Sequence, residues 1–143
     1  MSANTVGYAG DVLPQEAWDS LRNEVDAVLV DVRTAGEWSY VGLPRLDEAG
    51  KTPLLVEWRG GQPEDFVQRL KAELTGMGVN EETPLYFICR SGSRSRNAAV
   101  AMTAAGHRNC FNISTGFEGP LDAEGHRGHK AGWKVDGLPW IQS

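Results

Sequence analysis

A run of apolar residues ends in a cysteine, and that cysteine opens a loop of arginine, serine and glycine leading into alanine-rich sequence. Residues 84 to 95 read P-L-Y-F-I-C-R-S-G-S-R-S. The order predicts a buried strand over Leu85 to Cys89, with the thiol at its tip, then a helix over Ser95 to Ala105. Residues 97 to 105, N-A-A-V-A-M-T-A-A, are good helix formers; Ser95 is the expected N-cap and Gly106 the left-handed residue that ends the helix. The orphan N–H groups of the first turn, with those of a loop curled by Gly92, would form a nest for an anion. Arg90, Arg94 and Arg96 all lie within seven residues of Cys89 in an otherwise acidic chain. Cysteines at helix N-termini and beside cations ionise far more readily than free ones, so Cys89 is expected to be a thiolate nucleophile.

The pattern around this loop alternates strands and helices. Pro14 to Glu24 is an amphipathic helix with Ala17, Trp18 and Leu21 on one face. Ala27 to Val32 is apolar throughout except for Asp31, as expected of a parallel strand buried on both faces. Thr34 caps a short helix to Ser39. A strand over Leu54 to Trp58 precedes a helix from Pro63 to Leu74 with Phe66, Val67, Leu70 and Leu74 inward, and Asn109 to Ile113 is a further strand. The sum is a three-layer α/β/α sandwich with a central, mainly parallel sheet, whose ligands bind beyond the carboxyl ends of the strands. Cys89 and the pair Asp31/Arg33 both stand at such ends.

The run C-R-S-G-S-R-S followed by an alanine-rich helix resembles the active-site loop of the single-domain rhodanese-like sulfurtransferases of the thiosulfate type. V-L-V-D-V-R-T-A-G-E-W at Val28 to Trp38 is similar to that family's strand ending in Asp-x-Arg with a following Glu and aromatic, and G-W-K-V-D-G-L-P at Gly132 to Pro139 to its C-terminal signature. The resemblance spans nearly the whole chain, read as one domain over 1–143 with an inserted glycine- and histidine-containing loop at about 119–131. It implies Cys89 as catalytic residue and Arg90, Ser91, Gly92, Ser93, Arg94 and Ser95 as the anion-binding loop. Four residues separate Cys89 from Arg94, the spacing of the sulfurtransferases; phosphatases and arsenate reductases of this fold carry five.

The supporting residues are Asp31, Arg33, Glu37 and Arg96. Asp31 and Arg33 share a face of their strand, and Arg33 is expected to brace the active edge by pairing with Glu37 or Asp31. Arg94 is expected to close the loop, its fork on carbonyls or on an anionic substrate. Cys110, a helix length of about 16 Å from Cys89, should be a buried, unpaired thiol. Asp122, Glu124, His126 and His129 lie in the run D-A-E-G-H-R-G-H, which lacks the helical or cysteine spacing of a specific metal signal, so no metal is assigned. His107 is expected to be a charge partner of the helix C-terminus. The five tryptophans read as packing residues, and no loop for an organic cofactor is present.

With 143 residues, 41% hydrophobic and 23% charged, the chain can form one hydrophobic core. A net charge of −5 argues against nucleic acid as a partner. No apolar run approaches the roughly 20 residues that span a bilayer, and residues 1–10 lack a secretory pattern, so a cytoplasmic protein is expected. The resulting expectation is transfer of a sulfane sulfur from thiosulfate, or a similar small anionic donor, to cyanide, a thiol or a protein acceptor through a Cys89 persulfide. The alternatives are a non-catalytic or sulfur-carrying module and, less favoured by loop length, a phosphatase or arsenate reductase.

Overall fold

Five short strands stack side by side in the order Gly10–Val12, Cys110–Ile113, Leu85–Ile88, Val28–Asp31 and Leu54–Leu55, every neighbouring pair parallel. The computed structural model describes residues 7–142. In chain order the elements are β1 (Gly10–Val12), α1 (Pro14–Asn23), β2 (Val28–Asp31), α2 (Ala35–Tyr40), β3 (Leu43–Pro44), a 3-10 turn (Asp47–Ala49), β4 (Leu54–Leu55), α3 (Pro63–Thr75), β5 (Leu85–Ile88), α4 (Ser93–Ala104), β6 (Cys110–Ile113) and β7 (Trp140–Ile141). The short β3 and β7 pair antiparallel with each other, apart from the main sheet.

The central strands are buried on both faces because alternate residues supply two cores. Val28, Val30, Leu85 and Phe87 face Phe66, Leu70 and Leu74 of α3 and Ala98, Ala99 and Met102 of α4. Leu29, Tyr86, Ile88 and Ile113 face Ala17, Trp18 and Leu21 of α1, with Phe117 and Trp133 from the C-terminal region. Trp18 and Trp133 meet edge to face, with centroids 6.0 Å apart, and the Trp133 indole N–H donates to Pro139 O at 2.6 Å. The expected α/β/α sandwich with a parallel centre is the observed fold.

Two expectations about α4 are corrected. The helix starts at Ser93, not after Ser95, because Gly92 takes φ 108° as its N-cap and turns the chain into the helix two residues early. Ser95 is thus inside the first turn, and its hydroxyl is used elsewhere. His107 serves the other end through its backbone: its N–H donates to Met102 O and that of Gly106 to Thr103 O, the paired bonds of a Schellman closure. The ring is buried, and burial, then Lys71, push its pKa down, so a charged dipole partner is not what stands there.

The strand expected over Leu54 to Trp58 is regular only at Leu54–Leu55. Beyond it the backbone still bonds to β2, through Val56 N to Asp31 O and Trp58 N to Val32 O.

Candidate active site

Cys89 lies at the carboxyl end of β5 and is 1% exposed. The chain folds tightly around it because Gly92 sits directly against β6: a Cβ on Gly92 would stand 2.2 Å from Ser114 O, so no other residue fits. That approach brings Gly92 N–H to 3.1 Å from the Cys89 sulfur. The Ser95 hydroxyl lies 3.1 Å from the same sulfur. The N–H groups of Ser93, Arg94 and Ser95 belong to the first turn of α4, where an α-helix offers them no internal acceptor, so the helix N-terminus faces the loop with unspent donors.

A second segment holds the loop from behind. Phe117 N–H donates to Cys89 O at 2.8 Å, and those of Glu118 and Gly119 to Arg90 O at 3.0 and 3.1 Å. These contacts tie the cysteine loop to the start of the 119–131 excursion. Nothing in the local pattern around Cys89 points to residues so far along the chain. The other unforeseen residue is Asn112, 2% exposed on otherwise apolar β6, which accepts from Ser95 Oγ at 2.6 Å. A polar amide inside a strand core was the available signal.

The flanking charges pair differently from expectation. Arg94 does not close the loop onto carbonyls. Its Nη1 and Nη2 donate to the two Glu37 carboxylate oxygens at 2.8 and 2.9 Å, a fork that bridges α4 to α2. Burial raises the Glu37 carboxyl, but Arg94 and the Thr34 N–H and hydroxyl more than reverse this and hold it at about 2. Glu37 also completes a capping box with Thr34, as the expected Thr34 cap requires.

Of its two expected partners, Arg33 takes Asp31. Nε and Nη2 donate to the Asp31 carboxylate at 2.9 and 2.7 Å, and Nη2 also reaches Gly42 O at 2.7 Å. Both side chains are fully buried, and the guanidinium lies over the Phe117 ring at 4.3 Å. The pair locks β2 to β3 and to the segment behind Cys89. Arg90 and Arg96 are exposed, Ser91 and Arg94 are half-buried, and Ser93 is exposed.

Cys110 is a buried free thiol, as is Cys89. Burial pushes Cys110 up to about 12, against a smaller opposite effect of Thr103, so it stays protonated and inert.

The 119–131 excursion brings one group of donors together that the spacing did not announce. One ligand atom each of Asp122, His126 and His129 lies within 4.8 Å of the others, while Glu124 stays outside the group. The loop folds back on itself here, which a test for helical spacing does not detect. The Asp122 carboxylate is already engaged within the loop: Oδ1 accepts from Glu124 N and His126 N, both at 2.9 Å, and Oδ2 is 2.9 Å from His129 Nδ1. The His126 N–H first, then the His129 ring, hold its carboxyl below the ordinary range. The cluster braces a turn.

Among the described residues no helix is long and apolar enough to cross a membrane.

The family model described as the STR4 middle domain matches residues 10–143. An uncharacterized RP600 homolog of Rickettsia rickettsii is 38% identical over 130 residues, covering 91% of this chain and 95% of that protein. The crystal structure of Rv0390 from M. tuberculosis superposes with a TM-score of 0.83 at 43% identity, covering 95% of this chain and 99% of that one. A relative named thiosulfate sulfurtransferase GlpE, from Actinobacillus pleuropneumoniae serotype 3 (strain JL03), is 25% identical over 132 residues and covers 90% of each chain.

Proposed function

This chain belongs to the STR4 middle-domain family of rhodanese-like proteins, and from that premise we propose that it is a sulfurtransferase working through a persulfide on Cys89. The observation that carries the reading is the position of the Cys89 sulfur at the end of β5, against Gly92 N–H and the first turn of α4. A sulfur there has donors ready for negative charge, and the four residues between Cys89 and Arg94 match the loop length of the sulfurtransferases that this chain resembles. The relative named as a thiosulfate sulfurtransferase supports thiosulfate as donor.

In the loading step the Cys89 sulfur attacks the outer sulfur of thiosulfate. A sulfur–sulfur bond to Cys89 forms, and the bond to the sulfonate sulfur breaks. Its electron pair leaves with sulfite, which carries off the thiol proton as bisulfite. The outer persulfide sulfur then bears the charge, facing the amides of Arg90 to Ser95. In the second step cyanide, a small thiol or a protein thiol attacks that outer sulfur, and Cys89 regains its electron pair. Neither step needs a general acid, which suits a site where Arg94 is committed to Glu37 and Arg33 to Asp31. Arg90 and Arg96, both exposed, steer the anionic donor. We place the protein in the cytoplasm, where a reducing environment keeps both cysteines as thiols.

Intact-protein mass after incubation with thiosulfate tests the reading, on wild type and Cys89→Ser, with cyanide added afterward. The expected result is the gain of one sulfur atom that requires Cys89 and is lost to cyanide. A Cys89 that stays reduced and alkylatable, with no gain of sulfur, overturns it in favour of a binding module of the same fold.

A further inference from the structure

The polar contacts behind Cys89 form a chain whose proton directions are fixed. Asn112 Nδ2 donates to Asp11 Oδ1 at 3.0 Å and to Gly92 O at 3.2 Å. Both partners are acceptors only, so the amide cannot be turned around, and its oxygen must face Ser95. At 2.6 Å from that oxygen the Ser95 hydroxyl has to donate to it. A hydroxyl has one proton. With that proton on Asn112, Ser95 presents lone pairs to the Cys89 sulfur at 3.1 Å. Cys89 is then the donor of this contact, as a thiol.

We propose that Asn112 is a positioning residue that holds the proton on Cys89 when the enzyme carries no sulfur and so favours the persulfide. To ionise, the free thiol must either face lone pairs or draw the Ser95 proton away from Asn112, breaking a hydrogen bond between two buried groups. The persulfide avoids that cost: its charge sits on the outer sulfur, one atom further from Ser95, and the Ser95–Asn112 bond stays intact. The gain to the persulfide rests on the sulfurtransferase reading; the control of the thiol proton does not. The charged groups around the sulfur are Arg90, Arg94 and Arg96 of its own loop and helix, the Asp31–Arg33 pair at the end of β2, Glu37 on α2 and Asp11 behind Asn112 on β1. All are common to the variants compared below.

The test is the ultraviolet absorbance of the Cys89 thiolate, taken as the difference from Cys89→Ser. It is read at a pH where wild type shows about a tenth of its full signal. Asn112→Ala frees the Ser95 proton for the sulfur, and about five times the wild-type signal is expected at that pH. In a Ser95→Ala background the same substitution should leave the signal nearly unchanged. No rise, or an equal rise in both backgrounds, overturns the assignment. The infrared S–H stretch of Cys89, read in the intact wild type, gives an answer even if Asn112→Ala does not fold. Donation to Ser95 lowers its frequency and Ser95→Ala raises it; a frequency that Ser95→Ala leaves in place overturns the assignment.

The persulfide part has its own arm, the ratio of thiosulfate to sulfite that half-loads Cys89; at the pH where wild type shows half of its full thiolate signal, it should rise about fivefold in Asn112→Ala. An unchanged ratio removes that part. Failure of even wild type to load would instead overturn the sulfurtransferase reading, and the spectroscopic arms would still decide the proton's position.

Discussion

Arg94 of α4 holds both carboxylate oxygens of Glu37 of α2, at 2.8 and 2.9 Å, so one fork of hydrogen bonds joins the helix that follows the cysteine loop to the helix that follows β2. The sheet alone would leave these two elements to meet only through their strands. The bridge makes the active edge a closed frame and occupies the guanidinium that the loop sequence offers to carbonyls or to an anionic substrate.

Glu37→Gln should therefore act on stability more than on chemistry. The loss at pH 7 is expected to be about 1–2 kcal/mol, allowing for partial exposure of the pair. The carboxyl is held at about 2 against an ordinary 4.5. Its contribution is thus fully present above about 4.5 and disappears as pH falls through about 2. Urea unfolding of wild type and variant at pH 7 and near pH 2 checks this: the curves should differ at the first and converge at the second.

Arg33→Met should cost more, about 3–5 kcal/mol, because it leaves the fully buried Asp31 carboxylate without its partner. It also removes the guanidinium from the Phe117 ring and the bond to Gly42 O. Thermal unfolding is the measurement. Arg33→Lys should recover only a minor part, since a single ammonium cannot bond two carboxylate oxygens and a carbonyl in that plane.

Alkali should weaken the fold through buried acids, two of them strongly raised. Cys110 and Tyr8 are each pushed up to about 12, by burial first and for Tyr8 also by its bond to Asp11. A raised acid contributes stability that is full below its unfolded value and lost as pH rises toward the folded one. The loss should begin above about 9 for Cys110 and about 10 for Tyr8 and be complete near 12. Urea midpoints at pH 7, 9 and 11 should decline accordingly, and Cys110→Ala should flatten the first part of that decline. Native protein should accept no alkylating agent on Cys110 until it unfolds.

How far the sequence disclosed this site depends on how local each determinant is. The strand Leu85–Ile88, the Thr34 cap and the parallel centre were legible because apolar runs, capping residues and buried strands leave short-range patterns. The start of α4 was misjudged because Ser95 satisfies the capping preference while Gly92, free to take φ 108° against Ser114 O, decides the turn. β1, with the sequence G-D-V, carries no strand pattern and exists through pairing with β6. β3 and β7 pair across almost a hundred residues, and no local rule relates them. The Cys89 contacts with Phe117 and, through Ser95, with Asn112 were hidden for the same reason, since the topology of the sheet places them together.

The excursion at 119–131 leaves and rejoins the body at one narrow point. A Cβ on Gly119 would lie 1.8 Å from Ala131 O, a backbone atom that cannot move aside without opening the neck. Gly119 also has φ 82°, and its N–H donates to Arg90 O while its own carbonyl accepts from Arg127. Gly119→Ala should therefore disturb both the neck and the cysteine loop, lowering stability by about 2 kcal/mol or more and slowing sulfur loading of Cys89. Gly125 is the control. It has φ 81° in the same excursion, but a Cβ there meets nothing within 4 Å. Gly125→Ala should cost only the left-handed penalty, about 1 kcal/mol, and leave loading unchanged. Urea unfolding and the intact-mass loading rate, measured on both variants, separate the two. Equal effects would mean that the neck does not brace the loop and that Phe117 and Glu118 hold it unaided.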